Sequence, residues 1–319
     1  MRVLVVTNMY PSERKPYQGI FVRESVDALR SIGVEVDVLA IDNSSKWNYL
    51  LAVFRLWRMI RAKSYDLIHA HYVHSGWIAR MQFALPVVVT SHGSDTKGHE
   101  GWFLRRLYPL VDAVTITSKQ NQQRIGLTDT YLLPCGVDVE LFKPMDQTEA
   151  RRILGWETSR KKMLYVGRES PGKRLDIIKE AHAIVASRRG DTDLVIASAV
   201  PHEQVPVYMN AADVFVFASE SEGAPVVIKE ALACNLPVVS VDVGDVREVI
   251  EGVENCYICD RNAESMAEAV LRVLQSAKRS NGRRVALEYS TAQMAQRTLQ
   301  IYKAVLSSAG AQDERPKSS

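Results

Sequence analysis

The stretch DVFVFASESEGAPVVIKEALACNLPVVSV, residues 213–241, holds a complete strand–helix–strand unit. A β-branched and aromatic run at 213–219 predicts a buried strand, and the Ser-Glu-Gly-Ala-Pro segment predicts a turn. VVIKEALAC then predicts a helix with Pro225 at its first position. LPVVSV, residues 236–241, predicts the next strand. A strand, a helix and a second strand in this order indicate a parallel βαβ unit.

The same alternation extends through most of the chain. Helical patterns such as GIFVRESVDALRSIG, residues 19–33, separate most of the strand candidates. The further strand candidates lie at 2–7, 34–41, 66–70, 86–90, 112–117, 130–134, 162–167, 193–198 and 255–260. The pattern pauses at CGVDVELFKPMDQTEA, residues 135–150, which predicts a linker. The expectation is two doubly wound α/β halves, with ligands bound in the cleft between them.

Bulk composition narrows the class of protein. The chain has 319 residues, 46% of them hydrophobic, and a formal net charge of +3, which is too small to indicate nucleic-acid binding. Four scattered cysteines predict a reducing compartment rather than a disulfide framework. The N-terminus has no signal-peptide layout, and no apolar run reaches the length of a membrane span. These features predict a cytoplasmic protein.

Two glutamates flank the predicted start of the helix in the opening stretch. The backbone N–H groups after Pro225 would form an anion site suited to a diphosphate. Glu222 precedes the helix and Glu230 lies about 7.5 Å along its axis. Each carboxylate could accept hydrogen bonds from sugar hydroxyls, one on the transferred sugar and one on a ribose. A solvated glutamate on an ordinary helix is the competing interpretation.

Two other loops carry candidate site residues. In MLYVGRESPGKRLD, residues 163–176, Gly167 ends a strand, and Arg168 and Lys173 could neutralise a leaving diphosphate. In PVVVTSHGSD, residues 86–95, His92 and a glycine follow a strand end, where ligands of open α/β sheets bind. The competing interpretations are an ordinary solvated loop for Arg168 and Lys173 and a purely structural role for His92.

The loop at 7–24 is long and contains proline and glycine, and Gly19 opens the following helix. It matches neither the dinucleotide-binding glycine pattern nor the phosphate-binding loop of nucleoside triphosphatases. A functional lid is one interpretation and an ordinary surface connection is the other.

The stretch KWNYLLAVFRLWRMIRAK, residues 46–63, has basic and aromatic residues at helical spacing and no acidic residue. This pattern predicts an amphipathic helix that packs on the sheet and also contacts an anionic membrane surface. A sheet-packing helix with a solvated cationic side is the alternative.

Metal binding has weak support. His69, His71 and His74 lack a Cys, Asp or Glu partner at matching spacing, and no Asp-x-Asp pair follows a strand. We therefore expect no metal and no cofactor.

Taken together, the motifs resemble the GT-B glycosyltransferases of family 4, which are retaining enzymes, over nearly the whole chain. Glu222 and Glu230 match the family's E-x7-E motif. The other matching stretches follow in the family's order: NMYPSERKPYQGIFVRESVDALRSIGVEVDVLAI, SHGSD, LPCGVDVELFKP, YVGRESPGKRLD and NAADVFVFASESEG. HEQVPVYMNAADV and PVVSVDVGDVREVI are most similar to teichuronic-acid biosynthesis glycosyltransferases.

The resemblance implies a fold of two Rossmann-like domains across a cleft. It predicts an acceptor-binding domain at 1–143, a nucleotide-sugar-binding domain at 144–288, a helix at 289–309 that packs back on the first domain, and a disordered tail at 310–319.

The resemblance also implies roles for individual residues. Arg168 and Lys173 would hold the donor diphosphate, Glu230 the ribose, and His92 the sugar near the reacting carbon. Gly19 would let its loop close on the phosphates. The remaining donor-binding residues are Gly167, Glu222, Gly223, Ala224, Pro225 and Val226, with Glu222 also counted as catalytic.

The implied reaction moves a sugar from a nucleotide sugar, with UDP as the favoured nucleotide, to a glycan or lipid-linked acceptor. The resemblance places this reaction in cell-surface polysaccharide synthesis at the inner face of the membrane. It also implies that the reaction needs no metal and proceeds by front-face displacement.

Three departures from the family leave alternatives open. The usual glycine-rich turn, helix and strand after DLVIAS are missing, Cys135 stands where asparagine is common, and Asp245 replaces a common glycine. A catalytically silent nucleotide-sugar-binding or scaffold protein is the main alternative. A hydrolase with Glu222 and Glu230 as an acid/base pair and an epimerase acting on nucleotide sugars are the others.

Overall fold

A computed structural model of the chain describes residues 1–15 and 18–313. The chain divides into two units, one formed by Met1–Gly136 with Thr291–Ser319 and the other by Val137–Ser290. The chain thus enters the second unit at Val137, before residue 143, where the sequence analysis ended the first domain. Each unit contains one parallel sheet with helices on both sides.

The first unit alternates strands and helices in chain order. Its strands are β1 (Arg2–Thr7), β2 (Glu35–Ala40), β3 (Leu67–His71), β4 (Val87–Ser91), β5 (Ala113–Ile116) and β6 (Tyr131–Leu132). Its helices before the crossing are α1 (Ile20–Ser31), α2 (Lys46–Ala62), α3 (Val73–Ala79), α4 (Gly98–Leu107) and α5 (Lys119–Ile125). The strand order is β2-β1-β3-β4-β5-β6, and every neighbouring pair is parallel.

Both faces of this sheet are buried, which explains why its strands are continuous apolar runs. In β1, Leu4 and Val6 pack in a core with α2, α3, α4 and α5, whereas Val3 and Val5 pack in a second core with α1. Successive side chains of a strand point to opposite faces, so each β-branched residue fills one core or the other.

The second unit repeats the design with five strands. They are β7 (Lys161–Val166), β8 (Thr192–Ala197), β9 (Val214–Phe217), β10 (Val238–Val241) and β11 (Tyr257–Cys259). The helices are α6 (Gln147–Leu154), α7 (Leu175–Arg189), α8 (Val205–Ala211), α9 (Val226–Ala233), α10 (Val246–Ile250), α11 (Ala263–Ser276) and α12 (Arg283–Glu288). The strand order is β11-β10-β9-β7-β8.

The chain passes from β8 to β9 through one 3-10 turn (His202–Gln204) and one short α-helix, α8. No further strand lies between them in this described stretch, as the short AVPHEQVPVYM connection predicts. The sheet of the second unit consequently has one strand fewer than that of the first.

The last helix, α13 (Thr291–Asp313), belongs to the first unit. Ala295 and Tyr302 are fully buried against the same core as α1. The helix continues beyond residue 309 because the Ala-Gly-Ala-Gln-Asp segment contains no proline to end it. Residues 314–319 of the predicted tail lie outside the described residues.

Each sheet has a point where the winding direction reverses. In the first unit this point lies between β1 and β3, and in the second it lies between β7 and β9. Open α/β sheets bind ligands beyond the carboxyl ends of the strands at such a switch point. The loops after β7 and β9 are therefore the expected ligand-binding loops of the second unit.

Candidate functional site

The switch point of the second unit brings together the loops that carry the predicted donor-binding residues. Gly167 and Lys173 follow β7, and Glu222 and Pro225 follow β9. The two loops are joined directly, because the Glu220 N–H donates to the Gly172 carbonyl at 2.8 Å. Two segments far apart in sequence thereby form one surface.

Helix α9 starts at this surface. Pro225 has φ −65° and ψ 109°, so it caps the helix and Val226 is the first helical residue, one position later than predicted. The extended ψ of Pro225 accounts for the difference. Gly223, Ala224 and Pro225 are buried. The turn therefore presents the first N–H groups of α9 at the carboxyl end of the sheet, a geometry that favours anions.

Lys173 and Glu222 form an ion pair within this surface. Lys173 Nζ lies 2.5 Å from Glu222 Oε1, and the Ser219 hydroxyl donates to the same oxygen at 2.5 Å. The ammonium group also lies 5.8 Å from the centre of the Phe217 ring. A cation and a carboxylate predicted to bind different parts of a donor are thus each other's partners in this structure.

Gly167 allows close approach at the end of β7. Its φ is +139°, and a Cβ at this position would lie 3.1 Å from the Tyr165 hydroxyl oxygen. That hydroxyl donates to the Arg168 carbonyl at 3.0 Å, and burial raises the pKa of Tyr165 to about 12. The Arg168 side chain is exposed beside this turn.

Glu230 lies on α9 and is nearly buried. Its Oε1 lies 2.9 Å from Nε2 of His202, whose ring packs on Phe142. Glu222 and Glu230 therefore have different partners. They do not form the mutually facing pair that an acid/base hydrolase requires.

The first unit holds the other predicted catalytic residue, His92, directly after β4. His92 Nε2 lies 3.0 Å from Nδ1 of His71, and the two rings stack with centres 5.2 Å apart. The rings of Phe21 and Tyr72 pack on His92 at 4.8 and 4.7 Å. Burial lowers the pKa of His92 well below its usual value, so this imidazole is neutral at pH 7.

His69, His71 and His92 form a histidine cluster. His69 Nδ1 lies 2.6 Å from the Tyr302 hydroxyl and its Nε2 lies 2.7 Å from the Thr90 hydroxyl. Burial lowers the pKa of His71 to about 4 and also lowers the pKa of His69 well below its usual value. His74, the third histidine of the sequence motif, lies on α3 near Glu100. The described residues contain no group of three or more His, Cys, Asp or Glu side chains that could hold a metal ion.

Gly19 caps α1 in the left-handed conformation, with φ +72°. A Cβ there would overlap the Met9 carbonyl and lie 2.8 Å from the Tyr10 nitrogen. The loop after β1 thus passes against the start of α1 where only glycine fits. The loop borders a cavity of about 550 Å³ at the carboxyl ends of β1 and β2, whose lining includes Asn8, Arg14, Lys15 and Asp42.

Three features of these sites were not predicted from the sequence. His71 contacts His92 although twenty-one positions separate them. Asp95 of the SHGSD motif is buried and accepts from the Ser91 hydroxyl at 2.7 Å, which fixes the loop that carries His92. Lys229 and Asp245 form a buried ion pair. The SHGSD motif and the departure at Asp245 offered sequence signals, whereas the partners meet through strand pairing and loop packing.

Helix α2 leaves most of its apolar residues in contact with solvent. Trp47 is 73% exposed and Phe54 is 67% exposed, whereas Ala52 and Leu56 face the core. The helix has four basic residues and no acidic one. On the same side of the sheet, Trp102 of α4 is 51% exposed. No helix among the described residues is both long and apolar enough to cross a membrane.

Family models cover more than half of the chain. Residues 1–141 match the model of Glycosyltransferase Family 4, and residues 197–276 match that of Glycosyl transferases group 1. The chain belongs to the family 4 (group 1) glycosyltransferases. The second match spans the switch-point loop after β9 together with α9, and the first includes Gly19 and His92.

Individual comparisons agree with this assignment. The family 4 enzyme is 28% identical to TuaC of Bacillus subtilis (strain 168), named as a teichuronic acid biosynthesis glycosyltransferase, over 85% of this chain and 89% of TuaC. Its fold matches a sucrose-phosphate synthase of Thermosynechococcus elongatus, with a TM-score of 0.80, 20% identity and coverage of 97% of this chain and all of that one. It also matches Anabaena HepE in complex with UDP-glucose, with a TM-score of 0.72, 18% identity and coverage of 95% and 100%.

The fold prediction is confirmed, and so is the enzyme class. The family 4 enzyme has two parallel α/β sheets of six and five strands, and its structural neighbours have the GT-B fold. It uses a nucleotide-sugar donor, as a glycosyltransferase of this family. The hydrolase interpretation is therefore wrong, in line with the separate partners of Glu222 and Glu230.

Proposed function

We propose that this enzyme transfers a sugar from a UDP-sugar to a glycan or lipid-linked acceptor in cell-surface polysaccharide synthesis. The observation that carries the proposal is the joined surface of Lys173, Glu222 and the start of α9 at the switch point of the second unit. A cation, a carboxylate and the backbone N–H groups at a helix start are the groups that a sugar diphosphate needs.

The donor would lie along this surface from sugar to nucleoside. Arg168, Lys173 and the first N–H groups of α9 bind the diphosphate. Glu222 and the turn that follows it, from Gly223 to Val226, bind the transferred sugar. Glu230, held by His202 at 2.9 Å, binds the ribose hydroxyls. Because Lys173 and Glu222 pair with each other, donor binding exchanges their ion pair for contacts with phosphate and sugar.

In the first unit, His92 contributes a neutral imidazole. Its Nε2 lies 3.0 Å from His71, and its pKa is low because of burial, so it cannot serve as a strong acid at neutral pH. It can position a sugar hydroxyl near the reacting carbon by hydrogen bonding. Gly19 lets the loop after β1 approach the start of α1.

The reaction proceeds with retention by front-face displacement. The bond between the anomeric carbon and the phosphate oxygen breaks as the acceptor oxygen bonds to the same face of that carbon. The acceptor proton passes to the leaving phosphate oxygen. Arg168 and Lys173 stabilise the charge that develops on the diphosphate, so the reaction requires no divalent metal.

Two similarities support the choice of uridine and of a cell-surface product. HepE, a structural neighbour, binds UDP-glucose, and TuaC is named for teichuronic acid biosynthesis. We expect the short connection between β8 and β9 to influence the shape of the base pocket. The acceptor is a glycan or a lipid-linked sugar, and the cavity beside Asn8 and Arg14 is its proposed site.

The exposed face of α2 supports contact with the inner surface of an anionic membrane. Trp47 and Phe54 would enter the interfacial region while Arg58 and Arg61 bind lipid phosphates. Trp102 on α4 extends this surface, since the rings of Tyr49, His74 and Phe103 connect the two helices. Such contact would bring a lipid-linked acceptor to the first unit.

Vesicle sedimentation tests the membrane contact. The wild type should bind phosphatidylglycerol vesicles more strongly than phosphatidylcholine vesicles, and salt should weaken the binding. Trp47→Ser with Phe54→Ser should reduce it about tenfold or more. Ile153→Ser, at a 52% exposed apolar residue of α6, is the matched control. Equal binding by all three proteins would overturn the membrane contact and leave the sugar transfer in place.

The transfer itself is tested by measuring nucleotide release with UDP-sugars and candidate acceptors in the presence of a chelator. We expect UDP release that depends on acceptor, a product with the anomeric configuration of the donor, and no loss of rate with the chelator. UDP binding without turnover on any acceptor would instead support the alternative of a catalytically silent nucleotide-sugar-binding protein. A product of inverted configuration would rule out the front-face mechanism.

A further inference from the structure

A fully buried ion pair lies directly beneath the proposed donor site. Lys229 Nζ lies 2.6 Å from Asp245 Oδ2, and the two side chains are 0% and 4% exposed. Lys229 precedes Glu230 on α9, and Asp245 follows Gly244 in the loop between β10 and α10. Neither residue has a place in the transfer mechanism described above.

Stability alone does not explain this pair. Taking two charges out of water carries a desolvation penalty that often exceeds the gain from pairing, and apolar residues of similar volume frequently serve as well. The pair is also incompletely satisfied, because Asp245 Oδ1 is buried without a hydrogen-bond partner. A buried pair of this kind suggests that its geometry has a use.

The loop that carries Asp245 packs on the donor turn. Gly244 has φ +64°, and a Cβ there would lie 2.7 Å from the Gly223 carbonyl oxygen and 3.2 Å from Pro225 Cδ. The contact therefore requires both the glycine and a fixed position of the loop. The ion pair supplies that fixed position by attaching the next residue, Asp245, to the body of α9.

Lys229 also contacts a third segment. Its ammonium group lies 5.1 Å from the centre of the Tyr289 ring. The Tyr289 carbonyl accepts from the N–H of Val137, the first residue of the second unit. The cation thus joins α9, the β10–α10 loop and the segment at which the chain enters and leaves this unit.

We propose that Lys229 and Asp245 are positioning residues that hold the β10–α10 loop against the turn from Glu222 to Pro225 and thereby fix the start of α9 for the donor diphosphate. The inference rests on the proposed function, since it assigns the pair to that donor site. It acts through the backbone of Gly223 and Pro225 and requires no direct contact between the pair and the donor.

The test separates positioning from folding. Lys229→Met alone leaves a buried carboxylate unpaired, so this variant should lose thermal stability. The double variant Lys229→Met with Asp245→Leu removes both charges and should melt close to the wild type. If the pair positions the donor turn, the double variant should still show a KM for the UDP-sugar raised about tenfold or more, with a smaller change in kcat.

A control ion pair, more exposed than Lys229 and Asp245, lies at the opposite end of the sheet. Lys162 and Asp193 form a 2.6 Å pair at the start of β7 and β8. Lys162→Met with Asp193→Leu should leave the donor KM unchanged. If the Lys229 and Asp245 double variant does not fold, the donor KM of Gly244→Ala is measured instead, because this substitution displaces the same loop and retains both charged side chains.

The outcomes separate this inference from the proposed function. A wild type that binds no UDP and shows no turnover would overturn both. A wild type that turns over, with an unchanged donor KM in the folded double variant or in Gly244→Ala, would overturn the positioning role alone. A raised donor KM in the control pair as well would also overturn it, because the effect would then not be specific to the donor turn.

Discussion

Replacing Glu222 with glutamine separates the sugar-binding role of this residue from its structural role. In the structure, its Oε1 accepts from Lys173 Nζ and from the Ser219 hydroxyl, each at 2.5 Å. Glutamine keeps the size and one acceptor oxygen and removes the charge. The Lys173 side chain is 31% exposed, and partly exposed pairs contribute at most about 1 kcal/mol. We therefore expect the melting temperature to fall by no more than about 4 °C.

Turnover should fall much more than stability. A hydrogen bond between a sugar hydroxyl and a charged carboxylate is worth about 1.5–3 kcal/mol, which corresponds to a roughly 10- to 150-fold lower kcat/KM. UDP itself carries no transferred sugar, so its affinity should not decrease. It should stay constant or increase, because Lys173 is released from its carboxylate partner and can pair fully with the diphosphate.

The assay combines steady-state kinetics with calorimetric titration of UDP. Glu220→Gln is the matched control, since this neighbouring carboxylate is exposed and lies 3.4 Å from Arg174. It should change neither kcat/KM nor UDP affinity. A fall in UDP affinity equal to the fall in kcat/KM of Glu222→Gln would refute the reasoning, because Glu222 would then act through the diphosphate site and not through the sugar.

Three further predictions follow from the same contacts. The folded protein should lose stability as the pH falls from about 6.5 toward 4. Burial lowers the pKa values of the three clustered histidines, that of His71 to about 4. In this pH range the histidines therefore bind protons in the unfolded chain and not in the folded protein. His71 alone accounts for about 3 kcal/mol. Burial raises the pKa of Asp95 to about 6, so protonation of this carboxyl group stabilises the fold on acidification and offsets the destabilisation from one of the three histidines. Denaturant titrations across this pH range should therefore show a net loss of the free energy of unfolding as the pH falls. Gly19→Ala should lower the free energy of unfolding by at least about 1 kcal/mol in the same titrations, because the backbone at Gly19 has a φ of +72°. A variant as stable as the wild type would contradict the described path of the loop. Glu230→Gln should weaken UDP binding about tenfold or more in calorimetry, whereas an unchanged affinity would rule out the ribose contact.

The fold could be predicted from the sequence because its signals are local. Buried parallel strands appear as short β-branched runs, and every such run becomes a strand within two residues of its predicted bounds. The parallel arrangement of the strands follows from the alternation of strands and helices. These features depend on residues close in the chain.

Much of the site depends on contacts that sequence patterns do not reveal. Lys173 and Glu222 were both candidates, but their pairing across forty-nine positions requires the adjacency of β7 and β9. The contact between His71 and His92 requires the pairing of β3 and β4. Asp245 was noticed only as a departure from a common glycine. Its partner, Lys229, becomes evident once the loop packs on α9.

The central claim is that the loops after β7 and β9 bind a nucleoside diphosphate. Calorimetric titration with UDP, GDP and ADP tests it directly, on the wild type and on Arg168→Ala with Lys173→Ala. We predict that UDP binds the wild type more tightly than GDP or ADP, and that the double variant loses this binding while it retains the wild-type melting temperature within a few degrees. Wild-type UDP affinity in the folded double variant, or no binding of any of the three nucleotides to the wild type, would contradict the claim.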